Sequence, residues 1–197
     1  MSEHDAQDDA DKTMPPVSAL RYATAPELYA AIPQIREMTQ NRPREEESNL
    51  RYLERLAAST TPEEAVTLTA FAATPKMAIW WAYECLRTAP AELSAADREM
   101  LELVAMWTTH PEAENRYRVM RMALFAPIRT PTVFLGLAVG WSGGPIAPND
   151  PAPVPTQRTP RAINSSVLSC LAKADLSARS RRLAHFIKLA ERLYRLY

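Results

Sequence analysis

No stretch of the chain alternates apolar and polar residues with the sustained period of two that predicts a β-strand. With four glycines among 197 residues, a sheet and its tight turns are also hard to build. Helix-start signals recur instead, and the predicted helices span 26–40, 44–58, 62–73, 75–88, 94–108, 111–125, 131–141, 160–174 and 178–196. The pattern therefore predicts an all-α fold, a single compact bundle or array of about seven to nine helices.

The predicted helix starts carry side chains that can cap a helix. A threonine precedes a proline at four places, namely Thr61, Thr74, Thr130 and Thr159. Threonine is a good N-cap, and proline in the first turn loses no hydrogen bond. Thr24 with Glu27, Thr61 with Glu64 and Ser94 with Asp97 have the spacing of a capping box. Pro33 should kink or shorten the first helix, and a helix-plus-stop pattern repeats after 36–37 residues, near the period of HEAT-like arrays.

Two segments fall outside the helical pattern. Residues 1–19 begin with five acidic and no basic side chains in the first eleven positions, which predicts a disordered acidic tail before an all-helical domain at 20–197. Residues 142–160 hold six of the seventeen prolines, so this segment is predicted to be an extended, proline-rich loop. A long loop in a compact domain is often functional, and this one is the clearest pointer to a contact surface.

The segment KMAIWWAYECLRTAP at 76–90 is apolar nearly all round a helix, which predicts a buried central helix. Core packing is the favoured interpretation, and the alternative is an aromatic wall of a ligand pocket. The predicted core residues are Trp80, Trp81, Cys85 and Trp107.

Composition narrows the function classes. The net charge is zero and the pI about 6.8, so no global field attracts nucleic acid. The first residues lack the pattern of a secretory signal, and the apolar run 133–141 is too short to span a bilayer, so we expect no stable membrane insertion. Cys85 and Cys170 lie in apolar helical contexts without paired spacing, which favours reduced core thiols and a cytoplasmic location.

Catalytic chemistry finds little support in the sequence. His110 with Glu114 is a conceivable acid/base pair, but a histidine at a helix boundary more often caps a carbonyl or faces solvent. The chain has no metal-ligand spacing, nucleophile elbow or phosphate loop. We therefore predict a protein that is not an enzyme, with no catalytic residues, no metal and no cofactor.

The last predicted helix, 178–196, is basic and amphipathic. Its apolar face has residues such as Leu183, Phe186 and Leu193, and arginines occupy the opposite face. Such a helix can lie on a membrane or in a partner's groove. The favoured interpretation is that it closes the bundle with its arginines in water.

Six motifs, in order, carry a resemblance. A TPEEA helix start at 61–65 leads into PKMAIWWAYECLR; a polar helix ending in Trp-Thr, a proline-bounded arginine helix, a WSGGPIAP loop and a PRAIN helix start follow. Over roughly residues 20–195 this order resembles an uncharacterised proteobacterial family of small all-helical proteins, members of which lie beside type VI secretion genes. The diagnostic motif is Trp-Trp-Ala-x-x-Cys at Trp80, Trp81, Ala82 and Cys85. The resemblance implies no activity, but it implies a context of effectors, their chaperones and tip proteins.

These observations together favour a non-enzymatic accessory protein, an adaptor or co-chaperone that binds a secretion effector, its chaperone or a tip protein. The expected surface is the segment 127–161, with Trp141 and Ile146 as apolar anchors and Arg129 and Arg158 as polar contacts. Two alternatives stay open: a cytosolic immunity protein that neutralises a toxin, and a small enzyme using His110 and Glu114.

Overall fold

The computed structural model describes residues 19–89, 93–145 and 152–195, and within these ranges it contains nine α-helices. They are α1 (Ala25–Ala31), α2 (Asn49–Ala57), α3 (Glu64–Ala72), α4 (Pro75–Thr88), α5 (Ala95–Thr109), α6 (Ala113–Phe125), α7 (Pro131–Trp141), α8 (Arg158–Ala172) and α9 (Leu176–Arg195). The described ranges hold no β-strand, only two isolated bridges between single residues. The prediction of an all-α array is therefore confirmed. Most of the predicted acidic tail, residues 1–18, lies outside the described residues.

Three of the predicted caps form as the sequence indicates. Thr24 and Glu27 make a reciprocal capping box at the start of α1. The Ser94 hydroxyl accepts a hydrogen bond from the Asp97 N–H (3.1 Å) at the start of α5, and Thr130 caps α7 in the same way. Pro33 ends α1 early, because proline lacks the N–H that would continue the helix. The chain then continues as a 3₁₀ turn over Pro33–Glu37.

Other predicted helix starts are wrong, because the expected capping hydroxyl bonds to another group or the backbone departs from helical geometry. Thr61 donates to the Glu64 carboxylate (2.9 Å) and does not cap α3. The α8 helix begins at Arg158, so Thr159 lies inside it and donates to the Trp141 carbonyl (2.9 Å). The predicted helix at 44–58 begins only at Asn49, because Glu46 has a φ of 54°, which no α-helix accommodates.

The centre of the core is formed by α3 and α7, not by α4. All nine residues of α3 are buried, and so are nine of the eleven residues of α7. The α7 helix packs extensively against α6 and α8, and α3 packs against α8 and α2. These two helices carry a single charged residue between them, Glu64, so they lose little hydration when they are enclosed on every side.

The α4 helix is buried on one face only, and this corrects the expectation that Trp80 is a core residue. Trp81 and Cys85 are buried, whereas Trp80 is 38% exposed. Trp80 lies four or seven residues from Lys76, Glu84 and Arg87, so it shares the charged side of the helix. The charged residues stay in water and hold Trp80 at the surface with them.

The other two predicted core tryptophans lie in the interior but differ in their hydrogen bonding. The Trp81 indole N–H donates to the Phe186 carbonyl at 3.1 Å. Trp107 is 5% exposed, and its buried Nε1 has no hydrogen-bond partner in the described part of the chain.

The C-terminal helix α9 closes the core over helices from the first half of the chain. It packs against α2, α3, α4 and α8. Besides the Trp81–Phe186 hydrogen bond, the Tyr194 hydroxyl lies 3.4 Å from the Thr69 hydroxyl. The favoured interpretation of α9, a helix that completes the bundle, agrees with these contacts.

Gly136 and Gly140 allow α7 to pack closely against α5 and α6. A Cβ atom on Gly140 would lie 2.8 Å from both Cβ and Cγ of Met120, atoms close to the α6 backbone that cannot easily move aside. We expect Gly140→Ala to lower the free energy of unfolding by about 1–2 kcal/mol, because overpacking outweighs the higher helix propensity of alanine. Urea unfolding should show this loss and none for Gly143→Ala, where a Cβ would meet nothing within 4 Å. Equal stability of the two variants would contradict the close packing of α6 and α7.

Candidate partner-binding surface

Trp141 and Arg158, two of the predicted contact residues, are brought together by the junction of α7 and α8. Trp141 ends α7 and Arg158 begins α8. The guanidinium carbon of Arg158 lies 4.9 Å from the Trp141 ring centroid, a cation–π distance. The Thr159 hydroxyl donates to the Trp141 carbonyl and fixes the junction.

Two clefts share Trp141 as a wall. One, of about 370 Å³, lies between the α7–α8 connection and the start of α4, and its lining includes Arg21, Pro75 and Gly144. The other, of about 500 Å³, is bordered by α7 and α8, and Arg158 and Arg161 line it. Trp141 is half-buried between them, so it can contact a bound molecule only along part of its ring.

The remaining two predicted contacts are not placed with Trp141. Arg129 donates from Nη1 to the Ala123 carbonyl (2.6 Å) and from Nη2 to the Leu124 carbonyl (3.3 Å). It therefore satisfies the free carbonyls at the end of α6, a capping role, and it lines neither cleft beside Trp141. Ile146 lies outside the described residues.

Two strongly exposed apolar side chains lie at the end of α6 and in its connection to α7. Phe125 is 83% exposed and Ile128 is 70% exposed. They border a cleft of about 420 Å³ whose apolar lining includes Met100, Met122 and Val133. We call Phe125, Ile128 and this cleft the FAPI surface, after the sequence at 125–128. Large apolar groups gathered beside an apolar cleft are typical of an interaction site.

A cluster of hydroxyl groups around Asp97 lines part of the cleft of the FAPI surface. The Asp97 carboxylate accepts hydrogen bonds from the hydroxyls of Ser94 (2.7 Å), Thr130 (2.6 Å) and Thr132. Burial raises the pKa of Asp97, but these hydrogen bonds outweigh it and hold the pKa below its ordinary value of 3.8. The carboxylate thus joins the starts of α5 and α7, and it is already satisfied, so the cleft presents mainly apolar surface to a partner.

Positive charge flanks the FAPI surface on α6. Arg121 and Arg118 precede Phe125 by four and seven residues, so the three lie on one stripe of the helix. Both arginines are exposed, and neither has an ion-pair partner within the described ranges. The surface therefore combines an apolar centre with a cationic edge.

The structure does not join His110 and Glu114 into an acid/base pair. Both are exposed, and no hydrogen bond links them. The His110 Nδ1 lies 3.0 Å from the Thr109 hydroxyl, and the Asn115 side chain donates to the His110 carbonyl (2.9 Å). His110 therefore belongs to the end of α5 and its connection to α6. In the described part of the chain, no three His, Cys, Asp or Glu side chains are grouped to hold a metal ion.

A sequence model of DUF6931, a family of unknown function, matches residues 52–194. The chain belongs to the DUF6931 family. The DUF6931 match runs from α2 to α9, so it includes the FAPI surface and the Trp141–Arg158 pair. This membership confirms the coarser part of the predicted resemblance, that the chain falls in a family without an assigned activity. No curated protein and no solved structure shows significant similarity to the chain.

The helices also bear on the expectation about membranes. Among the described residues, no helix combines the length and the apolar run that crossing a bilayer requires.

Proposed function

We propose that this protein is a non-enzymatic adaptor that binds another protein through the FAPI surface. The observation that carries the proposal is the exposure of Phe125 (83%) and Ile128 (70%) beside an apolar cleft. Leaving two such side chains in water forgoes stabilisation of about 1.5–3 kcal/mol each, which a partner recovers on burying them. Met100 and Met122 in the lining suit this role, because methionine adapts its shape to different apolar surfaces.

The surface indicates the chemistry of the partner. An apolar centre accepts apolar side chains, and the cationic edge at Arg118 and Arg121 favours carboxylates beside them. We therefore propose a partner segment that carries apolar residues flanked by Asp or Glu, such as an amphipathic helix. Trp141 with Arg158 remains a predicted second contact, and the cation–π geometry of the pair supports a preformed site.

The cellular setting rests on the resemblance set out above, not on the DUF6931 assignment. The Trp-Trp-Ala-x-x-Cys motif and the order of the surrounding motifs support a role beside type VI secretion genes. We propose that the partner is a secretion effector, its chaperone or a tip protein, and that the complex forms in the cytoplasm. The adaptor then acts as a co-chaperone that helps load an effector.

The test compares two surface variants in affinity purification from the producing cells. We expect the tagged wild-type protein to retain an effector, a chaperone or a tip protein. Phe125→Ser with Ile128→Ser should lose that partner because the apolar anchors are gone. The melting temperature should stay within a few degrees, because both side chains are already exposed.

The matched control is Leu176→Ser, which removes another apolar side chain, 80% exposed, at the start of α9. This variant should retain the partner. An equal loss of partner in both variants would show that general surface hydrophobicity, not the FAPI surface, is responsible. Recovery of a toxin alone would replace the adaptor proposal with the immunity alternative.

A further inference from the structure

The solvent face of α9 carries a straight row of basic side chains. Their positions are separated by four, three, four and three residues, so they lie above one another on one side of the helix, and all are exposed. The members of this cation row are Arg181, His185, Lys188, Arg192 and Arg195. At about 1.5 Å per residue the row extends for about 21 Å.

The opposite face of α9 is used by the fold. Its apolar residues Leu183, Phe186, Ile187, Ala190, Leu193 and Tyr194 are all buried. A helix that lies on a membrane inserts its apolar face into the lipid, and here that face is covered by the rest of the protein. The cation row therefore stands on an anchored helix and is presented to solvent as a fixed array.

Within the described ranges, few carboxylates neutralise the row. Arg195 pairs with Glu54 on α2 at 3.0 Å, and Glu191 is the single acidic residue of α9. Arg181, Lys188 and Arg192 form no ion pair there. Like charges three and four residues apart repel one another and weaken a helix. The Arg195–Glu54 pair and the helix dipole favour the basic residues of the last turn. Neither accounts for Arg181, His185 and Lys188, so this part of the row is an unfavourable local choice that points to a function.

A cleft lies at the N-terminal end of the row. It has a volume of about 430 Å³ and is lined by Thr88, Ala178, Arg181, Arg182 and His185. Arg182 flanks the row and adds a second guanidinium to the cleft. A carboxylate that enters the cleft meets two arginines, and charge-assisted hydrogen bonds from arginine to carboxylate are among the stronger polar contacts.

We propose that the cation row of α9 binds a carboxylate-rich segment of another protein. Charge complementarity carries the proposal, because a helix with acidic residues at the same alternation of three and four places its carboxylates along a matching line. The row is separate from the FAPI surface, since α9 packs mainly against α2, α3, α4 and α8, whereas the FAPI cleft is lined by residues of α5, α6, α7 and the α6–α7 connection. Nucleic acid is the less fitting polyanion. The aromatic residues of α9, Phe186 and Tyr194, are buried and cannot stack on bases, and the chain has no net positive charge.

The experiment measures binding of a fluorescent oligoglutamate peptide, long enough to follow the row, to the full chain at low salt. Lys188→Glu with Arg192→Glu should weaken binding at least about tenfold, because two attractive contacts become repulsive. The matched control, Arg36→Glu with Arg98→Glu, reverses the same number of exposed charges at residues that belong to neither proposed surface and should change the affinity less than about twofold. Circular dichroism checks that both variants keep their helices, and Lys188→Gln with Arg192→Gln replaces the first variant if it does not.

Three outcomes would overturn the proposal. Equal weakening by the Arg36→Glu, Arg98→Glu control would assign binding to total charge. Tighter binding of a single-stranded oligonucleotide of equal charge would make nucleic acid the ligand. Peptide binding that appears only when residues 1–11 are deleted would identify the occupant as the acidic N-terminal segment of the chain itself.

Discussion

Replacing Trp81 with alanine should lower the free energy of unfolding by about 3–5 kcal/mol, a large part of the stability of a domain of this size. Trp81 is 1% exposed and is the largest fully buried side chain in the described structure. Its loss leaves a cavity between α4 and α9, and it also leaves the Phe186 carbonyl without the indole donor at 3.1 Å. Urea or thermal unfolding followed by circular dichroism measures the change.

The neighbouring tryptophan provides the matched control. Trp80→Ala removes the same number of atoms from the same helix, but Trp80 is 38% exposed and shares the charged side of α4. We expect it to cost clearly less, about 1 kcal/mol or somewhat more, because only the buried part of the ring contributes. If the two variants were equally unstable, the assignment of one tryptophan to the core and the other to the surface would be wrong.

The second large effect is expected at Glu64, the one charged residue of the central helix α3. Its carboxylate accepts hydrogen bonds from the backbone N–H groups of Gln40 (2.9 Å) and Asn41 (3.1 Å), and from the Thr61 hydroxyl (2.9 Å). Glu64→Gln replaces an acceptor oxygen with an NH₂ group that faces these donors. We expect this substitution to lower the free energy of unfolding at neutral pH by about 2–4 kcal/mol.

The pH dependence of stability tests the same contact. Burial raises the pKa of Glu64, but its hydrogen bonds outweigh burial and hold the pKa below the ordinary value of 4.5. A depressed pKa means that the folded state favours the charged form. Its contribution is therefore complete above pH 4.5 and disappears as the pH falls through the folded-state pKa. The difference in stability between wild type and Glu64→Gln should shrink on acidification.

The adjacent glutamate is the control for both measurements. Glu63 is exposed and its side chain makes no hydrogen bond in the described structure, so Glu63→Gln should leave both stability and its pH dependence nearly unchanged. A Glu64→Gln variant as stable as Glu63→Gln at neutral pH would show that the carboxylate is not held as described.

The helical class could be predicted from the sequence because helix signals are local. The predicted helix caps were wrong where a contact with a distant part of the chain determined the hydrogen bond. The hydroxyls of Thr24 and Thr130 accept hydrogen bonds from N–H groups three residues later, so a short stretch of sequence contains both partners. Thr61 and Thr159 have the same local pattern but make long-range hydrogen bonds. Thr61 accepts one from the Asn41 side chain (3.0 Å), and Thr159 donates one to the Trp141 carbonyl, 18 residues away. Such a partner is defined only by the packed fold.

The two tryptophans of α4 show a signal that was present and overlooked. An apolar composition over 76–90 suggested burial on every side, but the few charged residues all fall on one stripe, and Trp80 lies on that stripe. Their positions, more than their number, determine which face of a helix meets water.

The candidate site could be predicted only in part. Trp141 and Arg158 meet because they are the facing ends of consecutive helices, a relation that chain order contains. The exposure of Phe125 was not predicted, because it depends on how the starts of α5 and α7 pack beside the end of α6. The periodicity of the sequence carries no information about that packing. The run FAPI, with apolar residues around a proline in a connection, was the available signal, since connections usually carry polar residues at the surface.

The closure of the core by α9 has a consequence for how fast the chain folds. The Trp81–Phe186 and Thr69–Tyr194 hydrogen bonds join residues 105 and 125 positions apart. Single helices form within about a microsecond, but contacts of this separation require the chain to close a long loop before any packing energy is gained. High contact order slows folding even in helical proteins. We therefore expect a slower-folding protein than its all-helical composition suggests, with the docking of α9 as the late step.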